Sequence, residues 1–222
     1  MQAGNAFYRK ADDLPQRVPV FPLNAALLLP GGRMPLNIFE PRYLEMIDAA
    51  LASDRLIGMI QPALDGALRE DGEPELCATG CLGRITSFSE TGDGRYVIAL
   101  QGVCRFRVVG EVESHRPFRV CKVVPFAADL DEDQGADTVD REALLQAFRD
   151  YLEANGLEAD WESVSRAENA TLVNALSMMS PYGPAEKQAL LDAPDLRTRA
   201  ETLIAITEMA MARAGDAPSS IQ

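Results

Sequence analysis

Apolar side chains recur at about every second position through most of the first half of the chain, and at every third or fourth through the second half. That change of period separates a strand-rich region from a helical one. In residues 17–23, Val18, Val20, Phe21 and Leu23 are interleaved with Pro19 and Pro22, which suits an edge or entry strand rather than a central one. Leu27-Leu28-Leu29 runs into Pro30-Gly31-Gly32, a turn signal, and residues 34–38 resume as a strand. A helix begins near Pro41, because a proline in the first helical turn lacks only an N–H that has no partner there. Tyr43, Leu44, Ile47 and Leu51 then recur at helical spacing and are expected to face the core. Residues 56–60 return to strand. Residues 65–75 are charged, contain Gly66, Gly72 and Pro74, and read as a surface loop.

The clearest hairpin follows. Residues 83–88 lead to Thr91-Gly92-Asp93-Gly94, where Asp-Gly supplies the positive φ of a tight turn, and residues 95–109 return. Tyr96, Ile98 and Leu100 alternate with Val97 and Ala99. Arg105, Phe106, Arg107 and Val108 alternate too, implying one dry and one wet face. A last strand spans 118–124. Short strands without regular intervening helices point to an antiparallel sheet or barrel-like body.

Residues 127–140 are acidic and poor in large apolar side chains, so they read as a linker. Four helices are expected beyond it: 138–155, stopped by Asn155-Gly156; about 160–179, with Ser165 to Glu168 fitting a capping box; 185–191 after Pro184; and 196–212, capped by Asp195. The expected division is an N-terminal tail (1–16), a β-rich subdomain with one inserted helix (17–126), an acidic linker (127–140), a helical subdomain (141–212) and a disordered tail (213–222), an α+β chain overall.

Charge follows the same boundary. Net charge is −13, but residues 1–126 carry 14 Lys/Arg against 15 Asp/Glu, whereas 127–222 carry 7 against 19. An acidic chain repels phosphate backbones, so nucleic acid is an unfavoured partner unless Arg84, Arg95, Arg105, Arg107 and Arg119 gather into a basic strip. No run is long and apolar enough for a membrane span, and residues 1–17 lack the apolar core of a secretory signal, so a cytoplasmic location is expected.

Catalytic chemistry finds little footing. No Walker-type phosphate loop or G-x-S-x-G elbow occurs, and the single histidine, His115, rules out H-E-x-x-H. Cys77, Cys81, Cys104 and Cys121 lack the paired spacing of a zinc site and read as small buried hydrophobes. Asp131-Glu132-Asp133 lacks the ligand order of a calcium loop. No catalytic residue, cofactor or metal is therefore expected. Apolar surface remains as the candidate instrument: Leu27, Leu28, Leu29 and Met34 around the Pro-Gly-Gly turn, and Met178-Met179 at a helix end, with core packing as the plain alternative.

Several ordered segments carry a resemblance. Val18-Pro19-Val20-Phe21-Pro22-Leu23-Asn24, Leu29-Pro30-Gly31-Gly32 and Pro35-Leu36-Asn37-Ile38-Phe39-Glu40-Pro41-Arg42-Tyr43 resemble the opening of Lon protease N-terminal domains. Gly80-Cys81-Leu82-Gly83-Arg84-Ile85, residues 94–106, Glu186-Lys187-Gln188-Ala189-Leu190-Leu191 and Asp195-Leu196-Arg197-Thr198-Arg199 continue the match, which covers residues 17–212. The resemblance implies a PUA-like β pseudobarrel followed by a helical bundle, with Phe39 and Tyr43 packing inside. It also implies a non-enzymatic module that binds unfolded or exposed apolar protein segments, an adaptor or regulator working beside a protease or ATPase. The alternative is a small-molecule or RNA-binding PUA-like domain. No ligand motif transfers by position, so Leu27, Leu28, Leu29 and Met34 stand as peptide-binding candidates on apolarity alone.

Overall fold

Five strands form a ring, and a sixth leans on its longest member. The computed structural model describes residues 1–131 and 135–215. Its strands are β1 (Gln2–Ala3), β2 (Ala6–Phe7), β3 (Arg17–Pro22), β4 (Arg33–Ile38), β5 (Leu56–Pro62), β6 (Leu76–Glu90), β7 (Tyr96–Glu111) and β8 (Val120–Pro125). β7, β6, β5, β3 and β8 pair in that order, and β8 returns to β7 to close the ring. β4 pairs with the first part of β7, from Arg33 opposite Gln101 to Ile38 opposite Tyr96. β8 pairs with the far part of β7, from Phe106 to Glu111. One edge of β7 thus serves two strands in succession. The pseudobarrel expected from the resemblance is present, with α1 (Pro41–Leu51) inserted between β4 and β5.

The ring is filled by one aromatic side chain set against glycines. Phe106 is fully buried, and its ring lies where a Cβ on Gly58 or Gly80 would have to sit. Those two glycines, on β5 and β6, leave room for the ring. Val18, Val20, Leu82, Cys104 and Cys121 complete this interior.

β3 is not the edge strand its prolines suggested. It pairs with β8 through Arg17–Pro19 and, in parallel, with β5 through Val20–Pro22. Because the partners take different halves, each proline can turn its missing N–H to the unpaired side. Residues 1–16 are not a free tail either. β1 and β2 form a hairpin, and Ala3, Tyr8 and Leu14 are buried against the ring. On α1 the buried face is Tyr43, Met46, Ile47 and Ala50, leaving Leu44 and Leu51 half-buried. Tyr43 packs against Phe21, with ring centroids 4.2 Å apart and planes tilted by 41°, but Phe39 is 63% exposed, contrary to the packing role expected for it.

The second half forms α2 (Arg141–Ala154), α3 (Trp161–Arg166), α4 (Asn169–Met179), α5 (Pro184–Asp192) and α6 (Leu196–Gly215). The single helix expected over 160–179 is two. Ala167 and Glu168 are extended, and Asp160, not Ser165, caps α3 by accepting from the N–H groups of Glu162 and Ser163. Arg141 on α2 sustains the break by donating to the carbonyls of Val164, Ser165 and Ala167 and to Asn169 Oδ1. These are the C-terminal acceptors a helix leaves without partners. One apolar cluster joins both halves: Leu28, Ile47 and Leu100 pack in a single core with Leu172, Leu190 and Leu203. Of the expected disordered tail, residues 213–215 belong to α6, and 216–222 lie outside the described residues.

Candidate functional site

A cleft of about 580 Å³ opens where the β3–β4 connection faces α4. Its β-side wall carries Leu27, Arg33 and Met34; its helical wall carries Thr171, Met178 and Met179. The cleft is therefore built from both halves. Leu28 and Leu29, at 1% and 0% exposure, are core residues and cannot meet a partner. Their burial has a cause: Gly31 donates to Gly102 O and Gly102 donates to Gly32 O, which folds the preceding leucines onto β6 and β7. Leu28 then occupies the space beside Gly83, and Leu29 lies so close to Gly102 that no Cβ fits there. Leu27 is buried but lines the cleft, and Met34 is half-buried on its wall.

The rim is apolar and adaptable. Met179 is 80% exposed, and Met178 packs so tightly over Gly32 that a Cβ there would collide with its sulfur. An unbranched thioether re-forms its surface around partners of varied shape. The spacing that placed Met178 and Met179 at a helix end was the legible signal for this wall; nothing in the local sequence indicated that it would face Met34.

Polar groups fix the walls from beneath. Asn174 donates to Pro30 O at 3.0 Å, pinning the turn to α4, and its Oδ1 accepts from Arg199 at 3.0 Å. Arg199 also donates to Leu190 O, and burial lowers its pKa to about 10. On the opposite side, Lys187 donates to Ala25 O at 2.9 Å, and Gln61 accepts from Ala25 N–H while donating to Gln188 and Pro184 O. Ala25 itself has φ of 57°, a left-handed conformation costly for a residue with a Cβ, and these bonds hold it there.

Arg105 joins the two halves. Expected on a wet face, it is 4% exposed. Its Nε and Nη2 donate to Asp129 at 2.9 and 2.7 Å, and its other Nη1 and Nη2 bonds reach the carbonyls of Leu191 in the last turn of α5 and of Ala193 and Pro194 in the link to α6. Burial alone would lower its pKa, but the hydrogen bond and charge of Asp129 raise it. The supposed acidic linker thus contributes a buried carboxylate and a buried Leu130. Its residues 132–134 lie outside the described residues.

The basic strip does not assemble. With Arg105 buried, Arg119 is paired with Glu111 and Arg95 with Asp93. Arg84 donates to Tyr8 Oη and Asp54 O. His115 is exposed in the β7–β8 loop. All four cysteines are free thiols, and burial raises Cys104 to about 12 and Cys121 to about 11, which keeps both protonated. No helix among the described residues is long and apolar enough to cross a membrane.

Comparison with known proteins follows the same outline. Residues 17–208 match the family model described as the ATP-dependent protease La (LON) substrate-binding domain. Lon protease 2 of Myxococcus xanthus is 28% identical over 203 residues, covering 87% of this chain and 24% of that protein. Lon protease of Parabacteroides distasonis is 30% identical, covering 85% and 23%. The chain therefore spans about a quarter of the length of these curated relatives. Among solved structures, a Lon N-terminal domain protein from Xanthomonas campestris aligns with a TM-score of 0.62 and 28% identity, over 85% of this chain and 97% of that one. The N-terminal domain of Mycobacterium avium complex Lon protease aligns with a TM-score of 0.64 at 20% identity, a likeness of fold.

Proposed function

Since the chain belongs to the LON substrate-binding domain family, we propose that it recognises protein clients by holding exposed apolar segments in the cleft between the β3–β4 turn and α4. The observation that carries this reading is the cleft itself: Leu27, Met34, Met178 and Met179 line one depression whose walls are fixed by buried polar bonds. Fixed walls with methionine rims suit a site that accepts many sequences of similar apolarity. On this reading the chain performs no reaction of its own. It acts as an adaptor or regulator of proteolysis in the cytoplasm, presenting clients to a protease or ATPase partner.

The test is titration of fluorescent unfolded proteins and arrayed peptides against the protein, its Met34→Asp variant and its Met179→Asp variant. Loss of one apolar contact of about 1.5 kcal/mol weakens binding about tenfold. Met179 is exposed, so Met179→Asp should melt as the parent does. Unchanged client affinity in both variants overturns the site, and absence of any peptide binding overturns the function.

A further inference from the structure

Among the described residues, β4 has a strand partner on one side only. Its pairing with β7 leaves the opposite edge without a strand among the described residues. The phase of that edge follows from one bond: Gly102 N–H donates to Gly32 O, so Gly32 and Gly102 form a hydrogen-bonded pair, and by alternation so do Met34 with Leu100 and Leu36 with Ile98. Arg33, Pro35 and Asn37 fall between these pairs and turn their backbone groups outward. Pro35 sits where its lack of an N–H costs the ladder nothing. The edge therefore offers the N–H groups of Arg33 and Asn37 and the carbonyls of Arg33, Pro35 and Asn37. Arg33, Met34 and Pro35 also line the cleft, so edge and cleft are continuous.

The charge at this site runs against the protein's own. In a chain of net charge −13, the charged side chains lining the cleft are two cations, Arg33 and Lys187, and one carboxylate, Glu168. Neither cation has a salt-bridge partner among the described residues; Lys187 is bonded to a backbone carbonyl, which leaves its charge uncompensated. Arg42, Arg69, Arg105 and Arg119, by contrast, are each bound to carboxylates.

Building on the client-binding reading, we infer that the cleft takes an extended peptide that adds as a strand to the free edge of β4, carries apolar side chains onto Met34, Met178 and Met179, and places a carboxylate against Arg33 and Lys187. Main-chain bonds to the edge supply affinity for any extended chain. The pocket and the cations select among them. Acidic apolar segments are thereby distinguished from basic ones that would bury equal apolar surface.

Fluorescence anisotropy with labelled decapeptides of three kinds tests this. The first is apolar with two glutamates, the second carries lysines at those positions, and the third is the first N-methylated at alternate residues in each of the two possible phases. The glutamate peptide should bind about tenfold tighter than the lysine peptide. In the double variant Arg33→Gln, Lys187→Gln, which retains a donor for Ala25 O, the two should bind within about twofold. N-methylation in one phase should abolish binding and in the other leave it nearly intact, because only alternate residues of an added strand donate to β4. Equal affinity of the acidic and basic peptides for the parent, or equal effects of the two methylation phases, overturns this inference while client binding stands. Failure of every peptide to bind overturns the client-binding reading with it.

Discussion

Asp129→Ala removes the carboxylate that holds Arg105, the residue joining the helical half to the ring. Asp129 is the carboxylate beneath the Arg105 guanidinium, and it accepts from Arg105 backbone N–H at 2.8 Å, Nε at 2.9 Å and Nη2 at 2.7 Å. Both residues are buried, so the alanine variant leaves a guanidinium inside the protein with no carboxylate bound to it, held by the carbonyls of Leu191, Ala193 and Pro194 and the face of the Phe126 ring. Breaking a buried pair from one side costs about 3–5 kcal/mol, most of it the penalty of the stranded charge. For a domain of this size each kcal/mol lowers Tm by about 2–4 °C, so the fall is roughly 6–20 °C. Calorimetry and urea titration followed by circular dichroism measure it, and the urea slope should stay at the parent's value. The double variant Arg105→Met, Asp129→Leu removes the charge with its partner and should be clearly more stable than Asp129→Ala alone. A loss below about 1 kcal/mol in Asp129→Ala, or a double variant no better than the single one, refutes the reasoning, since either would mean the pair is not desolvated.

Three further outcomes follow from the same packing. Gly80→Ala places a Cβ 2.6 Å from Met59 O and against the Phe106 ring, so it should cost about 3 kcal/mol or more by thermal melt; a neutral result would mean that Phe106 has room to move. Alkylation of the native protein at pH 8 should label half-exposed Cys77 first and leave Cys104 and Cys121 unreacted until urea unfolds the ring, as read by mass spectrometry. Burial would raise the pKa of Glu111, but the hydrogen bond to Arg119 and the charges of Arg119 and Arg69 hold it below the ordinary value of 4.5. A depressed folded-state pKa gives stability that is present above 4.5 and lost as pH falls below it. Glu111→Gln should therefore be about 1 kcal/mol less stable than the parent at pH 7, with the gap closing below pH 4.5 in urea titrations.

The sequence showed its strands and helices more readily than what lies between them. The Asp93-Gly94 turn and the alternation from Tyr96 to Leu100 marked β6 and β7, and Pro41 and Pro184 marked the starts of α1 and α5, because these are local effects of backbone geometry. The resemblance supplied the ring and its helical companion. What local pattern could not show was which face an alternating position would meet. Arg105 looks solvated by its period, and it is buried only because a carboxylate 24 positions later folds over it. Ala167 and Glu168 look helical, and they are extended because Arg141, on another helix, satisfies the carbonyls a break exposes. The same limit applies to the cleft. Leu27, Leu28 and Leu29 are alike in sequence, but the Gly31–Gly102 and Gly102–Gly32 bonds send two of them inward and leave one beside the opening.

The cleft's two walls are joined by the bond from Asn174 to Pro30 O, which spans 144 positions of chain. In synthesis from the N-terminus, the β4 edge and its turn leave the ribosome long before α4 exists to face them. During that interval Leu27 and Met34 have no wall opposite, and β4 can meet its first partner only when β7 arrives. Under the proposed client-binding role, a chain that holds exposed apolar segments of others thus passes through a stage in which its own segment of that kind is uncovered. The late arrival of α4 both ends that exposure and closes the cleft.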